Sequence, residues 1–266
     1  MIIRNEKESI TNGIIGGSSE GVAKFYKLGS EFESNTAFAI GGTINTFIED
    51  GKTYRSHTFK SNGNIVFPKA GKVELLVVGG GGGGGRAPPT IATSAGGGGA
   101  GGYRTATLGG KNASVSVGGG GVVDAPGGSS SFLTITSAGG GRAGGTPSFP
   151  GSSGGSGGGG AWVAGKGGAG NVPPVSPPQG NPGGFGSNTG SRIAGGGGGA
   201  GGSGNPWLDD GTGGAGITSS FTGTSITRAS GGNRGGLALS PSDSGNGGRG
   251  RNPGSPGEVS IRYRVR

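Results

Sequence analysis

Short stretches of alternating hydrophobic and polar residues, typical of half-buried β-strands, are spread along the chain. Strand-like runs occur at 22–27, 36–40, 46–48, 55–60, 64–67, 72–78, 103–108, 113–117, 131–136 and 258–265. Asp50-Gly51 and Asn62-Gly63 stand between such runs and predict hairpin turns. The run 72–78 is the most apolar of the chain and is the best candidate for a buried strand. Helical periodicity is poor throughout, with two turns at most within residues 18–27.

Glycine dominates the second part of the chain. Of the 266 residues, 75 are glycine and only 28% are hydrophobic, which excludes one large apolar core. The glycines form runs such as 79–85 and 195–199 instead of occupying every third position, so a collagen helix is excluded as well. Sixty-five of the 75 lie after Val78, in about eleven recurring segments separated by irregular stretches.

A run of seven glycines has two possible structures. It can be a flexible linker, since glycine loses more backbone entropy on folding than any other residue. It can also be an extended left-handed helix of three residues per turn that packs against copies of itself, with hydrogen bonds between neighbours. Bulky residues are confined to the stretches between runs, which favours packing. The small residues inside runs are then expected on outer faces: Ala100, Ser156, Ala169, Ala200, Ser203 and Ala215.

The predicted fold is therefore mainly β with irregular structure and little or no α-helix. A small antiparallel sheet or sandwich would join a bundle of polyglycine-II-type extended helices. We divide the chain into a β-rich N-terminal attachment or assembly segment, residues 1–54, and a glycine-rich domain, residues 55–266. In that domain the strands at 55–78, 103–117, 131–136 and 258–265 would frame the glycine helices and variable loops.

Composition leaves little room for catalysis. The chain has no cysteine and a single histidine, His57, which is expected either at the surface or as a hydrogen-bonded polar residue of a strand. A hydrolase triad has no support, and Gly51-Lys52-Thr53 lacks the first glycine of a phosphate-binding loop. Asp209-Asp210-Gly211 is more typical of a turn than of a metal site. We expect a protein that is not an enzyme, with no catalytic, cofactor-binding or metal-binding residues.

The formal net charge is +9, and the part after Val78 holds thirteen basic and five acidic residues. Such an excess attracts anionic surfaces, for example phosphorylated lipopolysaccharide or nucleic acid, or it provides solubility and counter-ions for a partner chain. Nucleic acid is the less favoured partner, because the arginines are sparse and lack interleaved aromatic residues. No apolar stretch is long enough for a membrane-spanning helix.

The order of strands, turns and glycine runs from Phe59 onward resembles that of a known family. The segment from Phe59 through the Asn62-Gly63-Asn64 turn, the strand 73–78 and the run 79–85 looks like the opening of the glycine-rich domain of bacteriophage tail fibres. Gly96–Tyr103, Val115–Gly118, Gly127–Phe132, Ala138–Gly141 and Pro256–Tyr263 follow in the same order. The resemblance covers about residues 55 to 266 and does not extend to residues 1–54, whose role in attachment is inferred from position only. It implies stacked polyglycine helices with receptor-contacting loops at one end.

Candidate contact residues lie between the glycine runs, because exposed aromatic and arginine side chains commonly anchor interfaces. They are Phe149, Trp162, Arg192, Trp207, Phe221 and Arg228, within or near the loops 146–153, 161–166, 205–210 and 217–230. For each aromatic residue, packing against a neighbouring loop or subunit is an equally good interpretation. The Pro-rich stretch 172–178 is expected to be stiff and extended.

The function expected from these features is adhesion: a bacteriophage tail-fibre or tail-tip protein, located in the virion, that binds a host-cell surface through its loops. Its partners would be other tail-fibre proteins and a bacterial outer-membrane protein or lipopolysaccharide, and it would be oligomeric or bound to an oligomeric fibre. The alternative is a purely structural virion or surface-coat protein that contacts only its own assembly.

Overall fold

The computed structural model describes residues 37–145, 149–162, 165–187, 192–237 and 243–265. The strand expected at 22–27 and the helical turns allowed within 18–27 lie outside these residues. The described strands are β1 (Phe38–Ile40), β2 (Thr43–Glu49), β3 (Lys52–Phe59), β4 (Gly63–Lys69), β5 (Lys72–Val78), β6 (Tyr103–Gly109), β7 (Ala113–Ser116), β8 (Ser130–Phe132), β9 (Ile135–Ser137), β10 (Ile217–Ser219), β11 (Ile226–Arg228) and β12 (Glu258–Val265).

Two five-stranded antiparallel sheets form a sandwich. The first has the order β2-β3-β12-β5-β6 and the second β1-β4-β7-β8-β9, while β10 and β11 form a separate hairpin. The last strand, β12, lies between β3 and β5, with Val259 opposite both Phe59 and Val77. Side chains of both sheets share one core, including Leu75 and Ile261 from the first sheet and Ile65 and Phe132 from the second. The expected antiparallel, mainly β fold is confirmed.

Strand β5 is buried on both of its faces, as its continuous apolar sequence predicts. Val73, Leu75 and Val77 point into the core between the sheets. Leu76 and Val78 point the other way, into a second cluster with Ala100 and Ala229. From Leu75 onward both faces are covered, and the alternation of Lys72, Val73 and Glu74 therefore stops there.

The sequence prediction of one strand at 131–136 is wrong. Two short strands, β8 and β9, pair there as a hairpin in which Phe132 lies opposite Ile135. Leu133 turns the chain with a φ of 50°, a conformation that only a minority of non-glycine residues adopt. No Gly, Asn or Asp marks this turn, which explains why the sequence pattern missed it.

Helix is almost absent from the described residues. Two short 3-10 helices, Pro89–Ser94 and Trp207–Asp209, account for it. Nothing helical in the described part of the chain has the length and apolar character needed to cross a membrane.

The division into two domains after residue 54 stays a prediction. The position falls inside β3, and residues before it are hydrogen-bonded to strands that follow it. β2 pairs with β3 along its whole length, and β1 pairs with β4 of the second sheet.

Successive N–H groups of the first glycine run, 79–85, donate hydrogen bonds to three neighbouring segments in turn, and the order repeats every third residue. The N–H groups of Gly79, Gly82 and Gly85 donate to Gly102, Gly99 and Gly96 at 2.8 to 3.0 Å. Gly80 and Gly83 donate to Gly128 and Ala125, and Gly81 and Gly84 donate to Ser255 and Asn252. Every third residue therefore donates to the same neighbour, and three different segments accept the hydrogen bonds of this run. A fourth segment donates to it, through the N–H groups of Gly140 and Ala143.

Close approach of backbones explains the glycines. A β-carbon added to Gly82 would overlap the carbonyl oxygen of Gly141, and one added to Gly97 would overlap that of Gly232. The expectation that small residues inside runs lie on outer faces holds for the exposed Ala169, Ser203 and Ala215. It is wrong for Ala100 and Ser156, which are fully buried. Ala100 is buried because it fills the space beside Leu76 and Val78.

Candidate functional site

The hydrogen-bond register of the glycine runs shows where the chain reverses. Gly79 follows β5 and Gly102 precedes β6, and these two residues are bonded to each other beside the first sheet. Gly85 and Gly96 are bonded at the other end of the same pair of runs, so residues 86–95 reverse the chain far from the sheets. The seven-residue run 79–85 separates these two ends.

Other reversals lie around the same end. Arg251 donates to Gly85, Asp124 to Gly84, Ala194 to Thr93 and Gly235 to Ala95, each through its backbone N–H. We call this end the tip. Its described residues are 86–95, 122–125, 149–150, 161–162, 165–166, 192–194, 205–211, 234–237 and 249–252.

Four of the six predicted contact residues lie at the tip. The guanidinium carbon of Arg192 is 5.2 Å from the centroid of the Trp162 ring, within the range of a cation–π contact. The hydroxyl of Thr93 donates to the backbone carbonyl of Arg192 at 3.1 Å and ties this turn to the loop 86–95. Arg192 is exposed and Trp162 half-buried, so one face of the pair is open to a partner.

Phe149 lies in the turn next to Trp162. Its carbonyl accepts a hydrogen bond from the N–H of Ala161, at 3.4 Å, and its side chain is 54% exposed. The structure therefore brings Phe149, Trp162 and Arg192 into neighbouring turns, although 43 positions separate the first from the last in the sequence.

Trp207 begins a short 3-10 helix at the tip. Its N–H donates to the carbonyl of Phe185 at 3.1 Å, and the next residue, Leu208, is 67% exposed. Asp210 ends the helix in a left-handed conformation, φ 68°, which confirms the turn expected at Asp-Asp-Gly. Nε of Arg234 donates to the carbonyl of Asp210 at 2.6 Å and fastens this turn to the neighbouring one.

The two remaining candidates, Phe221 and Arg228, lie near the first sheet and not at the tip. Arg228 is 1% exposed, and its Nη2 is 3.0 Å from Oε1 of Glu258. The ring of Phe221 is covered by Arg262, whose guanidinium carbon is 4.7 Å from the ring centroid. The prediction that Arg228 contacts a receptor is therefore wrong, because the residue is buried as the ion-pair partner of Glu258.

The loop 217–230 that carries both residues packs on β2. Asn45 donates to the carbonyl of Thr222 at 2.8 Å, and the hydroxyl of Ser220 donates to Glu49 at 2.9 Å. The loop connects two glycine-rich segments at the end that faces the sheets. Loop length and composition do not distinguish the two ends, and only the direction of each glycine run does so.

Several tip residues were missed by sequence reasoning. Leu208 at the tip, and Phe185, which lies beside Trp207 outside the tip ranges, are both at least half exposed and extend the apolar surface around Trp207. Arg234 and Arg251 add positive charge beside them. Their sequence signal is the change from glycine to bulky or charged residues at the end of a run, which occurs equally at turns near the sheets.

His57 is the only histidine and is fully buried. Its Nδ1 lies 2.6 Å from the carbonyl oxygen of Gly41 and its Nε2 3.1 Å from the hydroxyl of Tyr263. The hydroxyl in turn accepts the N–H of Ala39 at 3.0 Å. Burial lowers the pKa of His57 below 6.5, with the Gly41 carbonyl opposing this shift. Of the two expectations for His57, the hydrogen-bonded interior residue is the correct one.

Comparison with known protein families identifies the family of this chain. The model of a family described as a glycine-rich domain matches residues 57–264, and the chain belongs to that family. The search of curated proteins found no match.

Proposed function

We propose that this member of the glycine-rich domain family is the receptor-binding protein of a bacteriophage tail fibre. It would bind a bacterial surface through the tip, without making or breaking a covalent bond. The observation that carries the proposal is the convergence of Phe149, Trp162, Arg192 and Trp207 at one end of the molecule. Aromatic and arginine side chains grouped at an exposed end are typical of binding surfaces.

The scaffold under the tip is proposed to be a bundle of polyglycine-II-type helices. Two features support this: the three-residue rotation of hydrogen bonds along 79–85, and the overlap that a β-carbon on Gly82 or Gly97 would cause. Such a bundle holds many turns in fixed positions because each helix is bonded to several others. Rigid positioning lowers the entropy lost when the turns bind a receptor.

The opposite end suits attachment to the rest of a fibre. Ala37, where the described chain begins, lies beside Gly71 in the turn between β4 and β5, at the end of the sheets away from the tip. A segment that precedes Ala37 therefore joins the molecule at the end away from the tip. In the proposed assembly other tail-fibre proteins hold this end, and an outer-membrane protein or lipopolysaccharide is bound at the other.

Binding of the full chain to intact bacteria tests the proposal. We would label the purified protein and measure its binding to a panel of strains, alone and in competition with whole phage. The variant Trp162→Ala/Trp207→Ala is expected to lose at least about tenfold in affinity, since aromatic anchors commonly contribute 2 kcal/mol or more. A matched variant at the other end, Phe38→Ala/Ile48→Ala, also removes two large exposed side chains and is expected to bind normally.

The alternative is a structural virion protein that contacts only its own assembly. It is favoured by the exposed apolar side chains of the sheet end: Phe38, Ile40, Ile44, Ile48 and Val66. If both double variants bind bacteria like the wild type while Phe38→Ala/Ile48→Ala fails to enter the virion, the alternative is correct and the adhesin proposal fails.

Amide hydrogen exchange tests the bundle. The N–H groups of Gly79 to Gly85 are all bonded to carbonyl oxygens, so we expect exchange to be slowed by several orders of magnitude. Exchange at the rate of an unstructured peptide would show that this run is a flexible linker.

A further inference from the structure

The basic side chains of the tip are mostly without carboxylate partners. The described tip residues include six cations, Arg86, Lys166, Arg192, Arg234, Arg249 and Arg251, and three acids, Asp124, Asp209 and Asp210. Within the described chain, Arg86 with Asp124, at 3.2 Å, is the one ion pair at this end. A positive excess therefore remains at the tip.

Backbone carbonyls hold two of the tip arginines. Arg234 donates to the carbonyls of Asp210 and Gly235, and Arg249 donates to that of Leu237 at 2.7 Å. A carbonyl orients a guanidinium without neutralising it, and of these two arginines Arg234 also interacts with the charge of Asp210. Two arginines near the first sheet are held by carboxylates instead: Arg262 is bonded to Glu74 and Glu49 at 2.7 and 2.8 Å, and Arg228 is paired with Glu258. Lys60 and Lys111, also near the sheets, are exposed and form no ion pair among the described residues.

Two of the tip arginines occupy positions where glycine would be favoured. Arg192 and Arg251 have φ values of 52° and 74°, in the left-handed region that L side chains rarely adopt. Glycine is the commonest residue of this chain, with 75 occurrences, and it takes this conformation without strain. An arginine at these turns is therefore poorly explained by backbone structure, and a role of the side chain explains it better.

We propose that the tip binds lipopolysaccharide through its phosphate groups. Guanidinium groups form charge-assisted, two-pronged hydrogen bonds with phosphate, and several stand here without a carboxylate. Trp162, lying under Arg192, and Trp207 provide flat apolar surfaces on which the C–H faces of the sugar rings can pack. The inference rests on the proposed function and specifies its receptor.

Binding to purified lipopolysaccharide tests the inference. We would immobilise lipopolysaccharide from a bound strain, before and after chemical removal of its phosphate groups, and measure the affinity of the full chain. The wild type is expected to bind the dephosphorylated form at least about tenfold more weakly and to lose affinity as salt is raised. Equal affinity for the two forms would overturn the inference.

Matched variants distinguish specific binding at the tip from nonspecific attraction to the positive charge of the protein. Arg192→Gly/Arg251→Gly removes two positive charges from the tip, and Lys60→Ala/Lys111→Ala removes two exposed ones from the sheet end. The tip variant is expected to lose at least about tenfold in affinity, with a thermal midpoint within about 3 °C of the wild type because glycine suits both turns. The lysine variant is expected to bind within about twofold. Similar losses in the two variants would overturn the inference in favour of nonspecific charge attraction.

Different results would disprove the adhesin function and the binding of phosphate groups. If the tip variants lose binding to intact cells while phosphate removal has no effect, the receptor is another surface component, such as an outer-membrane protein. The adhesin function would then stand and the phosphate inference would fall. If the tip variants bind both cells and lipopolysaccharide normally, both proposals are wrong.

Discussion

At the scale of single residues, glycines within the runs differ in the space around their α-carbons. Gly82 is enclosed by backbone on the side where a side chain would project, and a β-carbon there would overlap the carbonyl oxygen of Gly141. Gly119, in the run 118–121, has nothing within 4 Å of the same position. Backbone atoms cannot rotate away as a side chain can, so the requirement for glycine is strict at the first position only.

This difference predicts opposite results for two alanine variants. Gly82→Ala is expected to destabilise the fold by about 3 kcal/mol or more, because two backbone segments must move apart. Gly119→Ala is expected to change the free energy of unfolding by less than about 1 kcal/mol, with any gain arising from lower entropy of the unfolded chain. Chemical denaturation of both variants measures these values, and similar losses in the two would contradict the packing account.

His57 makes stability depend on pH. As a neutral ring it donates from Nδ1 to the Gly41 carbonyl and accepts the Tyr263 hydroxyl at Nε2. Since burial lowers its pKa in the folded state below the unfolded value of 6.5, the unfolded chain binds the proton more readily. The stabilising contribution of neutral His57 is therefore complete above pH 6.5 and is lost as the pH falls toward the folded pKa.

We expect the free energy of unfolding to fall between pH 7.5 and pH 5.5 in the wild type. His57→Gln, which keeps polar groups at the site but does not titrate, is expected to be less stable at pH 7.5 and to change less over this range. Denaturant titrations at the two pH values measure the difference. An identical pH dependence in the two proteins would show that His57 does not cause it.

At the scale of elements, β5 and β12 hold the sheets and the glycine-rich part together. β5 is buried on both faces, and β12 inserts between β3 and β5 while carrying Glu258 to the buried Arg228. Oε1 of Glu258 also accepts from the hydroxyl of Ser260, and its Oε2 accepts from that of Ser244, so the buried carboxylate is surrounded by donors. The position of Arg228 is thus explained by the interior of the protein.

Removing one member of this pair should cost more than removing both. Glu258→Gln leaves the guanidinium buried without its counter-charge, a situation that typically costs about 3–5 kcal/mol. Arg228→Met/Glu258→Gln removes both charges, and we expect it to recover a substantial part of that loss. Unfolding measurements on the two single variants and the double variant form the required cycle. Additive losses would contradict the coupling of the two residues.

Leu75 tests the core that joins the two sheets. It is fully buried among residues of both sheets, so Leu75→Ala is expected to destabilise the protein by about 2–5 kcal/mol. Leu133→Ala, in the partly exposed turn between β8 and β9, is the control and is expected to cost less than about 1 kcal/mol. Thermal or chemical unfolding compares them, and a reversed order would contradict the assignment of the core.

At the scale of the whole molecule, local patterns predict the strands well and the arrangement of turns poorly. The apolar run at 72–78 and the alternation at 258–265 correctly predict β5 and β12, because the apolar residues of each strand mark the surface that it buries. The hairpin at Leu133 was missed because an unusual residue makes its turn. The sequence pattern predicts a loop where the hairpin β10–β11 lies, because each of these strands has only three residues.

The sequence predicts the candidate site only in part, because it does not show at which end of the molecule each turn lies. Bulky residues between glycine runs are visible in the sequence, but the end at which each turn lies depends on the direction of every preceding run. Trp162 and Arg192 meet because their runs end together at the tip, and Phe221 and Arg228 lie near the sheets because theirs end there. Pairing between backbones carries no side-chain signal, so a single sequence does not reveal it.

Binding of the host cell through the tip can be mapped by hydroxyl-radical footprinting of the full chain, bound to cells of a susceptible strain and free in solution. We expect protection of Phe149, Trp162, Trp207 and Leu208, with unchanged labelling of Phe38, Ile44 and Ile48 at the sheet end. Protection of the sheet-end residues with unchanged labelling of the tip would contradict it.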